Sequence, residues 1–179
     1  MPERVLIVTD VQEGFTRQGN LASAECEAAL PTIRKILDEE RSAGTPFMFT
    51  KDSHVPNDRE FEMFPPHCII GTPEHDLVEE FRDVEGEAEA VIQKHRYSAF
   101  FRTDLEDMLI RIRPEEVHIM GFCTDICVLH TTADLRNRDF RVVVRKDGCE
   151  TYTRPGRHHR EMNQWALGHI EKVLGAKVV

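Results

Sequence analysis

Two cysteines lie four residues apart in Gly121-Phe-Cys-Thr-Asp-Ile-Cys-Val-Leu-His130, where an apolar run gives way to an amphipathic one. Cys127 falls in the first turn of the expected helix if Thr124 or Asp125 caps it. Free N–H groups and the helix dipole favour an anion there, and a nearby lysine lowers the thiol pKa further. Thiolate near neutrality is therefore expected at Cys127. The alternative for any single cysteine is a small, inert core residue, and that is how Cys26, Cys68 and Cys149 read. Asp10 follows the apolar residues 5–8, with Thr9 alone between them. A carboxylate so placed is solvated, paired or functional, because an unpaired buried charge is costly. A helix cap or a salt bridge to Lys94 is its plainer role, and Lys94 alone would pass for a surface lysine. Asp52-Ser-His54 offers oxygen and nitrogen at i and i+2, on one side of an extended chain, and His67 follows Pro65-Pro66. Two histidines and an aspartate suit Zn²⁺ or another first-row divalent ion and leave positions open for water or substrate. Glu60 is a further oxygen in the same stretch. His158 and His159 fit an ordinary last helix.

Something must bring these scattered groups together. Residues 5–8, 46–49, 90–92, 117–120, 141–144 and 177–179 are short runs rich in Val, Ile or Phe, the signature of parallel strands covered on both faces. Helical spacing of apolar residues marks 25–43, closed by Gly44, and 103–112, stopped by Pro114. Residues 125–137 and 157–174 supply two more helices. Residues 53–89, with four prolines, form a long loop carrying a short helix at 75–82, and loops of that length are usually functional. The β-α-β order predicts an α/β fold: a three-layer sandwich with a central, mainly parallel six-stranded sheet between helices. In such sheets ligands bind beyond the carboxyl ends of the strands. Asp10, Asp52 with His54, Lys94, and the cysteine pair each follow a different predicted strand, so they converge on one edge.

The 179 residues suit a single domain, 1–179, without repeat or linker. A formal net charge of −9 argues against a nucleic-acid partner. No apolar run reaches membrane-spanning length and no secretory leader is visible. Five cysteines at irregular spacing fit the reducing cytoplasm better than a disulfide framework.

The stretches LIVTDVQEGF with GNL, TKDSH, FPPHCIIGTPEHDL, KHRYSAFFRTDLEDML and GFCTDICVLHTTADL occur in this order along nearly the whole chain. Together they resemble the isochorismatase-like superfamily of cysteine hydrolases, most of all its nicotinamidase branch. By position, the resemblance implies a catalytic triad of Asp10, Lys94 and Cys127. Cys123 matches the residue after a non-proline cis peptide, here Phe122–Cys123, with the backbone N–H groups of Cys123 and Cys127 forming the oxyanion hole. Asp52, His54 and His67 match the metal ligands, and Glu60 resembles a fourth ligand present in some members. Phe15 and Tyr97 take the place of substrate-pocket walls. The implied cofactor is one divalent ion, zinc, with manganese and iron as alternatives. The implied reaction converts nicotinamide to nicotinate and ammonia, a step of NAD salvage, in a homo-oligomeric enzyme acting on a small amide.

Two departures from the nicotinamidase pattern stand out. Ser53 occupies a place commonly held by tryptophan, and Asn57-Asp58 with Glu60-Phe61 replace a further histidine and a Ser-Phe pair. Neither removes a ligand; both change the pocket wall. The nearest rival is another hydrolase of the superfamily acting on a different amide or carbamoyl group. A rival of another class is a redox or zinc-binding module built on Cys123 and Cys127, against which the C-x3-C spacing counts.

Overall fold

The computed structural model describes residues 2–179. Six strands, β1 (Arg4–Thr9), β2 (Phe47–Asp52), β3 (Ala90–Lys94), β4 (Glu116–Phe122), β5 (Val142–Glu150) and β6 (Lys177–Val178), form one sheet in the order β3-β2-β1-β4-β5-β6. Every pairing is parallel. Among the described residues six α-helices accompany them: α1 (Glu13–Thr16), α2 (Ala24–Ser42), α3 (Glu79–Glu85), α4 (Leu105–Ile112), α5 (Leu129–Asn137) and α6 (His159–Lys172). Right-handed crossovers put α2 beside α3 on one face and α5 beside α6 on the other. The central strands are apolar along their length because both faces are covered, and Val5, Leu6, Ile7 and Val8 are wholly buried.

Local signals fix the boundaries. Ser23 caps α2, its Oγ accepting from the Cys26 N–H at 3.1 Å, and Gly44 follows with φ +75°. Arg113 ends α4 in the left-handed region, just before Pro114. The 53–89 segment is more structured than its prolines suggest. It holds 3₁₀ turns at Arg59–Glu62 and Pro73–His75, and its helix is α3, centred a few residues later than the expected 75–82. β5 also outruns the expected 141–144, because its register against β4 shifts between Ile119 and Gly121 and pairing resumes at Cys149.

The strand order reverses between β1 and β4. Such a switch point opens a crevice at the carboxyl ends of the two strands. Gly121 lets them approach: its φ is +118°, and a Cβ there would sit 2.1 Å from the Thr9 carbonyl oxygen. No L-residue with a side chain fits that position without parting the strands.

Candidate active site

Strand register delivers the polar groups. Thr9 pairs with both Thr50 and Gly121, while Asp52 pairs with Lys94. Asp10, one residue past β1, turns the chain out of the sheet with φ +52°. Its N–H donates to the Thr50 carbonyl at 3.1 Å, and its Oδ1 accepts from Thr50 Oγ1 at 2.6 Å. Lys94 closes β3 and is completely buried. Its Nζ lies 2.8 Å from Asp10 Oδ2, 3.0 Å from Asp52 Oδ1 and 3.4 Å from Cys127 Sγ. The three residues expected to form a triad therefore meet around one ammonium. Asp10 Oδ1 is taken by the Thr50 hydroxyl, so Oδ2, paired with Lys94, is the oxygen offered for a proton.

Cys127 sits in a π-helical turn, Thr124–Val128, between β4 and α5. Single π turns recur at functional sites because they re-aim one side chain. The peptide before this turn, Phe122–Cys123, is cis, as expected. Two expectations about the turn fail. Neither Thr124 nor Asp125 caps it: Cys123 is the capping position, Thr124 Oγ1 has no partner, and Asp125 is drawn away by Thr151 and Arg154. Nor is Cys127 a ready thiolate. Burial pushes its pKa well above the ordinary thiol value, and Asp10 and Asp52 add to this against Lys94. Burial likewise raises Asp10, helped by the charge of Asp52 and opposed by Lys94. Burial disfavours charge on Lys94, yet Asp10, Asp52 and Cys127 outweigh it and hold its pKa well up. These shifts disfavour charge on Cys127 and on Asp10 and favour it on Lys94.

Asp52 faces both ways. While Oδ1 meets Lys94, Oδ2 lies 3.2 Å from His54 Nε2 and 3.2 Å from His67 Nε2. Glu60 Oε1 is 3.8 Å from the first and 3.9 Å from the second nitrogen. Asp52, His54, Glu60 and His67 thus bring four buried donor atoms within 4.8 Å of one another. Burial and the Asp52 charge push Glu60 up to about 7. His54 rises to about 9 because Asp52, Asp58 and Glu60 overcome its burial. Glu60 Oε2 has no hydrogen-bond partner. Two imidazoles and two carboxylates, crowded, buried and incompletely satisfied, fit a divalent first-row cation.

The surroundings orient these donors. His67 Nδ1 lies 2.8 Å from the Pro65 carbonyl, which keeps Nε2 turned inward. Asp58 Oδ2 stands 3.1 Å from His54 Nδ1, and Arg96 holds the other Asp58 oxygen at 2.8 Å. The departures noted in the sequence acquire a meaning here: Asp58 backs one ligand and Glu60 joins the cluster. Ser53 turns away from the cluster, bonding to His75 Nε2 at 2.8 Å.

Beside both centres lies a cavity of about 20 Å³ bounded by Asp52, Glu60, His67, Cys123 and Cys127. Phe15 and Tyr97 line it, together with Leu21, Phe64, Ile126 and Tyr152, which sequence reasoning missed. Phe64 stands in the matched stretch FPPHC and was open to notice; Tyr152, beyond β5, carries no local signal. A much larger open groove of about 1020 Å³ runs along α2, but its charges are paired among Arg17, Glu27, Arg34, Asp38 and Glu80. All five cysteines are free and buried. Among the described residues, the one group of metal-donor side chains includes neither Cys123 nor Cys127, which removes the basis for a cysteine zinc module.

Known proteins share this arrangement of elements. The isochorismatase domain family model matches residues 4–176. A Bacillus subtilis relative described as an uncharacterized isochorismatase family protein, PncA, is 35% identical over 196 aligned residues, covering 98% of each chain. The crystal structure of nicotinamidase PncA from Bacillus subtilis superposes with a TM-score of 0.88 at 31% identity, covering 99% of both chains. The pyrazinamidase of Pyrococcus horikoshii, solved in complex with zinc, gives 0.85 at 28% identity, again over 99% of both. Among the described residues, no helix is long and apolar enough to cross a membrane. A buried thiol, ammonium and carboxylate at the switch point, within a match spanning almost the full chain, make this protein a hydrolase that belongs to the isochorismatase family.

Proposed function

We propose that this hydrolase cleaves the amide bond of a small molecule, nicotinamide first of all, to a carboxylic acid and ammonia through a thioester on Cys127. The observation that carries this is the position of Lys94 Nζ, 2.8 Å from Asp10 and 3.4 Å from Cys127 Sγ in a site closed to water. As the amide carbon is attacked, Asp10 Oδ2 takes the thiol proton and Sγ forms the new bond, so charge develops only when substrate is present. The backbone N–H groups of Cys123 and Cys127 receive the developing oxyanion. When the C–N bond breaks, Asp10 returns the proton to the departing nitrogen, which leaves as ammonia. Asp10 then takes a proton from water as its oxygen adds to the thioester, and the acid departs with Cys127 restored as thiol. Throughout, Lys94 offsets the two carboxylates and keeps Asp10 ionised, ready to accept a proton, without itself giving one up.

Asp52, His54 and His67, with Glu60, are the residues that would hold a divalent ion, zinc ahead of manganese or iron. Once bound, such an ion supplies a Lewis-acid anchor for a ring nitrogen, directly or through water, which is an orienting role. Phe15 and Tyr97 flank the ring, joined by Phe64. The cavity of about 20 Å³ holds little more than a water molecule, so half-buried Phe64 and Tyr97 must swing aside for a pyridine carboxamide. That small volume also supports a second reading, the same chemistry on a slighter amide or carbamoyl compound. Five reduced cysteines support a cytoplasmic location and the continuous sheet supports one domain; exposed Phe101, Ile110 and Trp165 support a homo-oligomer.

Ammonia release from nicotinamide and a panel of small amides tests this directly. Wild-type protein loaded with zinc should release ammonia, and Cys127→Ala should lose at least ~10³-fold in kcat while remaining folded. Release from no amide would refute the reaction type; release from another amide alone would overturn only the choice of nicotinamide.

A further inference from the structure

Gln12 is wholly buried, and its side chain hydrogen-bonds main-chain groups alone. Its setting follows from how β1 ends. The last backbone bond from β1 to β2 is Asp10 N–H to the Thr50 carbonyl, 3.1 Å. One step on, a parallel ladder would pair the Asp10 carbonyl with the Asp52 N–H. The left-handed turn at Asp10 forbids this, and the Asp10 carbonyl accepts instead from the Gln12 N–H at 2.8 Å. Asp52 is left with a main-chain donor and acceptor facing a gap, in a part of the molecule closed to water.

The Gln12 carboxamide fills the gap as a peptide group would. Its Oε1 accepts from the Asp52 N–H at 2.7 Å, and its Nε2 donates to the Asp52 carbonyl at 3.0 Å. The second Nε2 proton goes to the His75 carbonyl, also at 3.0 Å. We propose that Gln12 is a positioning residue: its side chain supplies the missing rung of the β1 ladder and so aims both oxygens of Asp52, one at Lys94 and the other at His54 and His67. The inference rests on the reading of Asp52, His54, Glu60 and His67 as a divalent-ion site, and it adds a residue outside that donor set. It follows from the carboxamide's shape. Aspartate or asparagine is too short to span the gap, glutamate lacks the two donors, and an apolar residue leaves the Asp52 N–H and carbonyl unsatisfied.

The test uses full-length protein stripped of metal, with wild type, Gln12→Met and Gln12→Asn compared. Zinc affinity is read by competition with a chromogenic chelator, kcat and KM on whichever amide the wild type hydrolyses, and folding by thermal melting. The expected result is a folded variant whose zinc affinity falls by about 10- to 100-fold and whose kcat falls more than its KM rises. A folded Gln12→Met protein with zinc affinity and kcat both within about twofold of wild type would overturn the assignment. If Gln12→Met does not fold, Gln12→Asn, which keeps the amide one methylene short, decides on the same readouts. If wild-type protein itself binds no zinc, the ion-site reading fails. Gln12 is then judged through Lys94 alone, by whether kcat drops in the folded variants or stays unchanged.

Discussion

The two ends of the sheet each bury carboxylates against cations, and they resolve the charge in opposite ways. At the amino end, Glu40 of α2 is gripped by Arg4 Nε at 2.8 Å, Arg145 at 2.6 Å and the Thr45 hydroxyl at 2.7 Å. Burial alone would raise the Glu40 pKa, but these three partners hold it below the ordinary glutamate value. At the carboxyl end, Asp10 and Asp52 share one ammonium, the Asp10 pKa is raised, and Glu60 Oε2 has no hydrogen-bond partner. The first network ties α2 to β1 and β5 and leaves nothing to react. The second makes two carboxylates share one cation beside a crowded donor cluster, the condition a reactive centre needs and a scaffold avoids.

Removing Lys94 should produce the largest stability difference between the two ends. Lys94→Met leaves Asp10 and Asp52 without their shared cation, and chemical denaturation should show a loss of about 3–5 kcal/mol. A variant as stable as wild type would mean that the carboxylates are not both charged in the fold. Zinc comes next. Added to stripped protein at about a hundred times its dissociation constant, it should stabilise the fold by roughly 2.7 kcal/mol. His67→Ala should forfeit most of that gain, whereas Glu40→Gln should keep it in full.

Glu40→Gln should itself cost about 2 kcal/mol at neutral pH. Because the folded pKa of Glu40 lies below the unfolded one, its contribution is complete above the unfolded value near ~4.3. It fades as pH falls through the folded value. Urea midpoints of Glu40→Gln and wild type should therefore converge on acidification; a gap that persists at low pH would contradict the pairing. The smallest stability change is expected from Asp10→Asn. A group whose ionised form the fold disfavours is not a source of stability at neutral pH, so this variant should melt at or slightly above the wild-type temperature while losing hydrolysis. A marked loss of stability would make Asp10 a structural residue like Glu40.

Much of the fold was legible because strands covered on both faces must be apolar throughout, as 5–8 and 117–120 are. Helix stops were equally plain at Gly44 and Pro114. β5 was underestimated because Arg145, Lys146 and Asp147 are polar and lie beside a register shift, where period and hydropathy say nothing. The segment 53–89 defeated pattern reading since short 3₁₀ turns have no amphipathic period. Of the site, the strand-tip residues Asp10, Asp52, Lys94 and Cys127 could be placed together from topology alone. Their protonation could not: the helix-end argument favoured thiolate at Cys127, and burial, invisible in sequence, outweighs it. The contacts of Gln12 and Asp58 span gaps of 40 and 38 residues to Asp52 and Arg96, and only folded coordinates bring such partners together.

The two-faced carboxylate of Asp52 makes the two centres depend on one residue. A lineage drifting toward metal-free hydrolysis could discard His54 or His67 singly, but losing Asp52 would strip Lys94 of half its counter-charge. Ion capture can thus be lost through a single histidine, whereas any change at Asp52 itself calls for a second replacement next to the lysine.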